Sequence, residues 1–478
     1  MDKRIDLTEG KITSNLIKLS IPIMATSFIQ MAYNMADMIW VGRIGSNAVA
    51  AVGTAGFFPW LGMAFVMISK VGAEIKVAQS LGRNDIDSTK DYIKSAFQIN
   101  IILAIIYSII LLLFNSQLIG FFDLGDAEVI KMAKTYLIAV ALGMIFNFLN
   151  PVFTAVFTGS GDSRTPFIAN TIGLIFNIVF DPILIFGIGI FPEMGVLGAA
   201  LATVLAQVIV TVTFLYIMIK SKAEYLKINI LSGIKINCMK TLFHIGLPAA
   251  LQSGLFTVFS MFIGKIVAVF GPVPIAVQKV GSQVEAIAWM TAGGISTALS
   301  TFVGQNYGAG KLKRIVNGFN ITMIISLIVG VFASLVLIFF GEEIFRIFIP
   351  EAQAIEQGTV YLKILGYCQI LVCVEITTTG AFNGLGRTYI PSIISILLTG
   401  ARIPMAYIMC KPEFLGLEGI WWAISITGAL KGVVVYAIYR YLYKKKISLL
   451  KLRVVVYSIL GGVGMYMAMY TLVDYIYK

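Results

Sequence analysis

Val77-Ala78-Gln79-Ser80-Leu81-Gly82 closes one long apolar run of this sequence, and Val303-Gly304-Gln305-Asn306-Tyr307-Gly308 closes another. The two stand 226 residues apart (305 minus 79), the interval that also separates Leu19-Ser20-Ile21-Pro22 from Ile245-Gly246-Leu247-Pro248 (248 minus 22). Gly159-Ser160-Gly161 with Arg164-Thr165 is answered by Gly384-Leu385-Gly386 with Arg387-Thr388, and Gly195-Val196-Leu197-Gly198 by Gly416-Leu417-Glu418-Gly419. Matches repeated in the same order define a duplicated unit, so the fold is that of one unit made twice.

What fills the unit is apolar. Of 478 residues 58% are hydrophobic and 13% charged, about half the charged share of a soluble domain. Charge-free segments run from Ser95 to Phe122, Thr135 to Gly161, Met194 to Ile219, Ile315 to Gly341 and Val454 to Val473. Each is long enough for the ~20 residues that cross a bilayer as a helix. The alternation of an outer-membrane barrel is missing from them. Lys3, Arg4 and Lys11 precede an apolar run from about Leu16 that is too long for a signal peptide, so this segment reads as a retained first span.

Charged or Gly/Pro-rich breaks place spans near 16–42, 48–80, 92–116, 131–160, 165–189, 195–219, 240–270, 274–306, 314–341, 357–385, 388–410 and 416–441, with a thirteenth near 454–473. The net charge of +12 sits in short clusters between spans, a topology signal and not a nucleic-acid surface. Arg83, Lys90 and Lys94, the lysines between 220 and 240, Lys311, Lys313, Arg314 and the run from Arg440 to Lys446 share the side of the amino terminus. The positive-inside rule makes that side cytoplasmic. Acidic residues such as Asp123, Asp126, Glu193, Glu342 and Glu343 occupy the other side.

The expected architecture is all-α. Residues 1–219 form an amino-terminal lobe of six spans, 220–240 a cytoplasmic linker, 241–446 a carboxyl-terminal lobe of six more, and 447–478 an extra helix that would leave Lys478 outside. Because six is even, both copies enter the membrane in the same direction. They are then related by a pseudo-twofold axis along the membrane normal, with a substrate cavity between them.

Pro22-bearing first span ending Asp37-Met38-Ile39-Trp40-Val41-Gly42, the Val303–Gly310 segment and Gly384-Leu385-Gly386-Arg387-Thr388 together resemble the multidrug and toxic compound extrusion (MATE) family. The resemblance covers residues 10 to about 445; the thirteenth segment departs from that family's usual twelve helices. It implies a V-shaped two-lobe fold that exports organic, often cationic compounds in exchange for H+ or Na+. The chain is most similar to the DinF-like branch, whose cation site in the amino-terminal lobe maps onto Asp37, Asn177, Asp181 and Thr203.

The same residues stand out without the family. An ionisable group near the middle of a span costs roughly 2.5 to 3.5 kcal/mol on insertion scales and normally faces protein or water. Asp37 lies five residues before Gly42, Asp181 eight before Gly189 and Thr203 eight after Gly195. At ~1.5 Å per residue all three reach a depth of roughly 7 to 12 Å. Gln30, Asn34 and Asp37 share one helix face, as do Asn170, Asn177 and Asp181. Carboxylates, an amide and a hydroxyl suit Na+; two close carboxylates equally suit a proton, and plain helix packing remains the bland alternative. The positions that answer Asp37 and Asp181 in the second half are Ile263 and Ile403, so the cation site is one-sided.

The second half carries its own buried charges, Lys279, Glu285, Glu375, Arg402 and Lys431, some of which are expected to pair. Glu285, with Asn34 and Gln30, is the expected contact for a cationic substrate. Lys70 and Lys265 are expected to snorkel to an interface, and His244 to be interfacial. Pro22, Pro151, Pro182, Pro248 and Pro404 fall inside spans, where they serve either moving hinges or static kinks. Met and Phe residues lining the cavity offer an adaptable binding surface.

Other functions fit less well. A phosphate loop of the Gly-x4-Gly-Lys-Ser/Thr type does not occur, which excludes a primary pump of that kind, and one histidine is poor material for a membrane hydrolase. The linker between the second and third spans lacks the major-facilitator Gly-Asp-Arg-Gly-Arg-Arg pattern. Cys238, Cys368, Cys373 and Cys410 show no metal-ligand spacing. A lipid or saccharide flippase of the same superfamily stays open, and a strongly cationic central cavity would favour it. The expectation is a monomeric secondary transporter of the cell membrane with no cofactor beyond its coupling ion, H+ or Na+, whose partners are small molecules and the lipid bilayer.

Overall fold

The computed structural model describes residues 4–230, 232–349 and 351–445. Among them there is no strand. The first half consists of α1 (Ile12–Ile44), α2 (Ser46–Gly82), α3 (Ile86–Leu113), α4 (Asn115–Gly120), α5 (Ala127–Leu142), α6 (Met144–Ser160), α7 (Arg164–Phe186) and α8 (Gly195–Lys220). The second half consists of α9 (Ile236–Ala268), α10 (Pro272–Gly308), α11 (Leu312–Phe339), α12 (Gly341–Phe348), α13 (Ala352–Gly384), α14 (Tyr389–Met409) and α15 (Leu417–Lys445). Eleven of the described helices are long and apolar enough to cross a membrane, and α5 with α6 makes a twelfth span. The expected thirteenth helix near 454–473, with Lys446 and Lys478, lies outside the described residues.

The ends of these helices follow local chemistry. Asp85 Oδ1 accepts from the Ser88 N–H at 2.9 Å and Asp126 Oδ1 from the Glu128 N–H at 2.8 Å. Each satisfies one of the amides that a helix start leaves free. The two short helices α4 and α12 begin 226 residues apart (341 minus 115), so the repeat extends to the outer connections.

The fourth span, expected as one helix over 131–160, is two helices bent by 50° at Gly143. No proline stands at the break. A side chain at Gly143 would meet Val204 of α8 at 2.5 Å, so the chain bends at a point of close approach to α8.

We call the side on which α1 begins the basic face. On this side the halves interlock. Leu7, Leu16 and Leu19 sit in a core with Leu299, Phe302, Phe382 and Val435 of the second half. In return Leu242 of α9 sits in a core with Val77, Phe97 and Phe153 of the first half. Leu242 and Leu16 are again 226 apart (242 minus 16), so each half lends the start of its first helix to the other. Packing at this level therefore crosses the division at 219 and 241. On the opposite side the two cores separate: one is built from Val41 to Ala200, the other from Ile263 to Ala423.

Two glutamines fasten the basic face. Gln79 Nε2 donates to the Gly384 carbonyl at 2.9 Å, and Gln305 Nε2 to the Gly159 carbonyl at 3.1 Å. A Cβ at Gly82 would lie 2.0 Å from the Gln305 carbonyl oxygen, and one at Gly308 2.1 Å from that of Gln79. Only glycine allows the backbones to come this close. The segment before α1 crosses the seam: the Ile5 N–H donates to the Gly161 carbonyl at 3.2 Å, while Arg314 donates to the carbonyls of Leu7, Glu9 and Gly10 at 3.0 to 3.1 Å. The linker between the halves is tied to α3 through Lys235–Asp91 at 2.6 Å and Lys90–Glu224 at 2.8 Å.

Candidate functional site

The site begins with a proline. Pro182 inside α7 has no N–H to offer the Ile178 carbonyl, so the helix ladder is interrupted directly beside Asp181. Asp181 and Asn177, one turn apart, are fully buried, and Asn177 Nδ2 donates to Asp181 Oδ1 at 3.0 Å. From α1, Asp37 approaches the pair, its carboxylate lying against Asp181 and Asn177. From α8, Thr203 Oγ1 donates to Asp37 Oδ2 at 3.4 Å. The four residues taken from the sequence are thus in one cluster.

Three buried oxygens in this cluster have no hydrogen-bond partner: Asp37 Oδ1, Asn177 Oδ1 and Asp181 Oδ2. Leaving one buried acceptor unsatisfied costs about 1–3 kcal/mol, and more for a charged one. A set of free oxygens around two carboxylates fits a hard monovalent cation, and a proton shared between the carboxylates relieves the same repulsion. The donor set is a poor fit for a transition metal: among the described residues no group of three or more His, Cys, Asp or Glu side chains is placed to hold one. Two tyrosines complete the walls. Tyr33 donates to the Thr203 carbonyl at 3.3 Å, and Tyr136 of α5 is buried within electrostatic reach of both aspartates. Tyr33 is one turn before Asp37, so helical spacing alone would have found it; Tyr136 comes from the fourth span, which beyond Lys134 carries no charge to draw attention.

Gln30 and Asn34 stay outside the cluster; both are exposed on α1. The MatE family model matches residues 22–183 and again 248–408, starts that are 226 residues apart (248 minus 22). The chain belongs to the MatE family. A relative from Thermotoga maritima, named probable multidrug resistance protein NorM, is 30% identical over 415 residues, covering 86% of this chain and 88% of that protein. The probable multidrug resistance protein YoeA of Bacillus subtilis is 25% identical, with 89% of this chain and 93% of YoeA covered. A solved structure described as the outward-facing conformation of a multidrug resistance MATE family transporter of the MOP superfamily has the same fold. Its TM-score is 0.84 at 24% identity, over 91% of this chain and 96% of that one. This MatE protein is therefore a multi-pass membrane transporter and not an enzyme.

The second half of the MatE chain pairs some of its charges, as expected, and exposes Lys279. Glu285, expected to meet a cationic substrate, is buried between α10 and α13, where Tyr361 Oη lies 3.4 Å from Glu285 Oε2 and Arg402 is within electrostatic reach. Arg402 in turn donates from Nε to Thr427 Oγ1 at 3.0 Å. Glu375 and Lys431, an ion pair at 3.2 Å, border a cavity. Lys279, Lys265 and His244 are exposed. Lys70, expected at an interface, is half-buried one turn before Glu74, within reach of its charge. The sequence reading passed over Glu74, although a glutamate four residues from a lysine inside an apolar span is a pairing signal.

Proposed function

We propose that this MatE transporter exports small organic compounds, often cationic or amphipathic, across the cell membrane by alternating access, driven by H+ or Na+ moving inward. The observation that carries the reading is the set of three unpartnered oxygens around Asp37, Asn177 and Asp181. A pair of buried carboxylates without a cation repels, and an arrangement of the first half that relieves the repulsion is favoured; a bound cation reverses the preference. A solute with different affinity for the two arrangements is then coupled to the ion, typically by about 1 to 3 kcal/mol.

The relatives named as multidrug resistance proteins support the export of varied compounds. Lys90, Lys235, Lys311 and Arg314 on the basic face support its being cytoplasmic, with the amino terminus inside. The site is contained in one chain, in keeping with a monomer. A flippase for anionic lipid or saccharide carriers calls for a strongly basic cavity, whereas the second-half cavity is bordered by one lysine, and that lysine is paired.

The test is efflux of a fluorescent organic cation from proteoliposomes under an imposed pH gradient or an imposed Na+ gradient, each alone. One of the two gradients is expected to drive transport and the other to leave it at the passive rate. Equal, passive leakage under both would sink the coupled-export reading.

A further inference from the structure

The cavity of the second half lies among α9, α13, α14 and α15 and measures about 390 Å³. Glu375 and Lys431 are the charged residues on its wall, 3.2 Å apart, with side chains 10% and 11% exposed. Gln252 and Thr399 add polar groups, Phe256 and Phe259 an aromatic wall. Thr399 is 2% exposed and its Oγ1 has no hydrogen-bond partner. The wider interior is balanced, since Glu285 and Arg402 add one charge of each sign.

We propose that this cavity is a solute-binding site selective for zwitterions, molecules that carry an ammonium and a carboxylate on an apolar body. A buried ion pair tolerates the loss of one partner poorly, because the other charge is left uncompensated in a dry setting. A simple cation that takes Glu375 strands Lys431, and a simple anion that takes Lys431 strands Glu375. A zwitterion exchanges one pair for two, its carboxylate on Lys431 and its ammonium on Glu375, and leaves no charge alone. The orphaned Thr399 hydroxyl offers a hydrogen bond, and the two phenylalanines take the apolar body.

Position in the repeat supports a division of work between the halves. Gln252 and Phe256 answer Thr26 and Gln30 of α1 (252 minus 226; 256 minus 226), and Ile263, which answers Asp37, is packed into the outer core. The cavity of the second half therefore answers the part of α1 that precedes Asp37, and at the position of Asp37 itself the second half has an apolar residue packed in its core. The inference rests on the transport reading for its biological meaning, but the binding it describes needs no gradient.

Three probes with a common fluorophore separate the possibilities: Nε-dansyl-lysine, a zwitterion; dansylcadaverine, a cation; and dansylglycine, an anion. Binding to the purified full chain in detergent is expected to be at least ten-fold tighter for dansyl-lysine than for either of the others. Glu375→Gln should lower dansyl-lysine affinity about ten-fold and move the preference to dansylglycine. Lys431→Gln should lower it similarly and move the preference to dansylcadaverine. Thr399→Val should weaken all three probes without changing their order. If a single variant is not monodisperse, the double replacement of Glu375 by Leu and Lys431 by Met removes both charges together, and it should bind the three probes alike. Equal binding of the probes by the wild-type chain overturns the proposal, as does an unchanged order of preference in the folded variants. A chain that binds dansyl-lysine selectively but pumps under neither gradient overturns only the coupled-export reading.

Discussion

Replacing Gln305 by Ala should loosen the basic face by an amount that follows from two hydrogen bonds. Gln305 is fully buried; its Nε2 donates to the Gly159 carbonyl at 3.1 Å and its Oε1 accepts from the Leu7 N–H at 3.3 Å. Each bond contributes about 1 kcal/mol net, and its loss rises to about 2 kcal/mol where water does not reach the buried group left behind. In an arrangement with the basic face parted, the same groups meet water and the variant loses little. The truncation therefore shifts the balance by roughly 2 to 4 kcal/mol, about a 30- to 700-fold change at 1.4 kcal/mol per factor of ten. Gln79→Ala removes the 2.9 Å bond to Gly384 in the mirror position and should add to the effect. Spin labels at Asp87 and Lys313, exposed positions 226 residues apart (313 minus 87), report the separation by pulsed electron resonance in a background without the native cysteines. The expected result is a longer-distance population that grows from wild type to either single variant to the double. Gly308→Ala should do the same, because its Cβ would stand 2.1 Å from the Gln79 carbonyl oxygen. A double variant that remains monodisperse with the wild-type distance distribution would refute the latch.

Two further perturbations have clear directions. Asp37→Asn and Asp181→Asn should each abolish gradient-driven efflux while the protein stays folded, and the double replacement should be no worse than either; additive partial losses in proteoliposomes would point to independent sites. Asp85→Ala should lower stability by about 1 kcal/mol through loss of the α3 cap, read as a lower melting temperature. Hydrogen bonds from Ser88 hold the Asp85 carboxyl below its usual 3.8. The cap's contribution is thus present above that value and fades as pH falls through the lower folded value, so wild type and variant should converge in acid; a difference that persists unchanged to low pH contradicts this.

The parts legible in the sequence are those for which one residue already carries a large energy. Asp37 and Asp181 are costly in an apolar span, which makes them conspicuous, and their equal depth is simple arithmetic along two helices. The 226-residue interval is equally plain, and the family match restarts on it. Pairing within the second half was not legible, because Glu285 and Glu375 look alike until the helix faces are known. One turns out beside Tyr361 and Arg402, the other beside Lys431, 56 residues away (431 minus 375). The bend at Gly143 escaped for a related reason: the close neighbour of Gly143, Val204, is on another span.

The repeat divides the molecule by depth more than by sequence. On the basic face both copies do the same thing: Gln79 and Gln305, Gly82 and Gly308, Leu16 and Leu242 occupy matching positions and make matching contacts across the seam. Such contacts serve to close one face, a task that is symmetric because two similar halves meet there. Farther from that face the halves have separate cores and are free to differ, and there they differ in charge. The first half concentrates two carboxylates in α1 and α7 with oxygens unpartnered; the second pairs Glu375 with Lys431 and sets Glu285 beside Tyr361, with Arg402 within electrostatic reach. A carboxylate already neutralised by a neighbouring base gains little from a proton or Na+, whereas one that faces another carboxylate gains much. On the proposed ion-coupled reading, sensitivity to the ion belongs in the first half, and a solute that meets the second half does not compete with it for the same charges. Coupling on that reading passes through the shared seam, where a change in either half alters the same glutamine and glycine contacts.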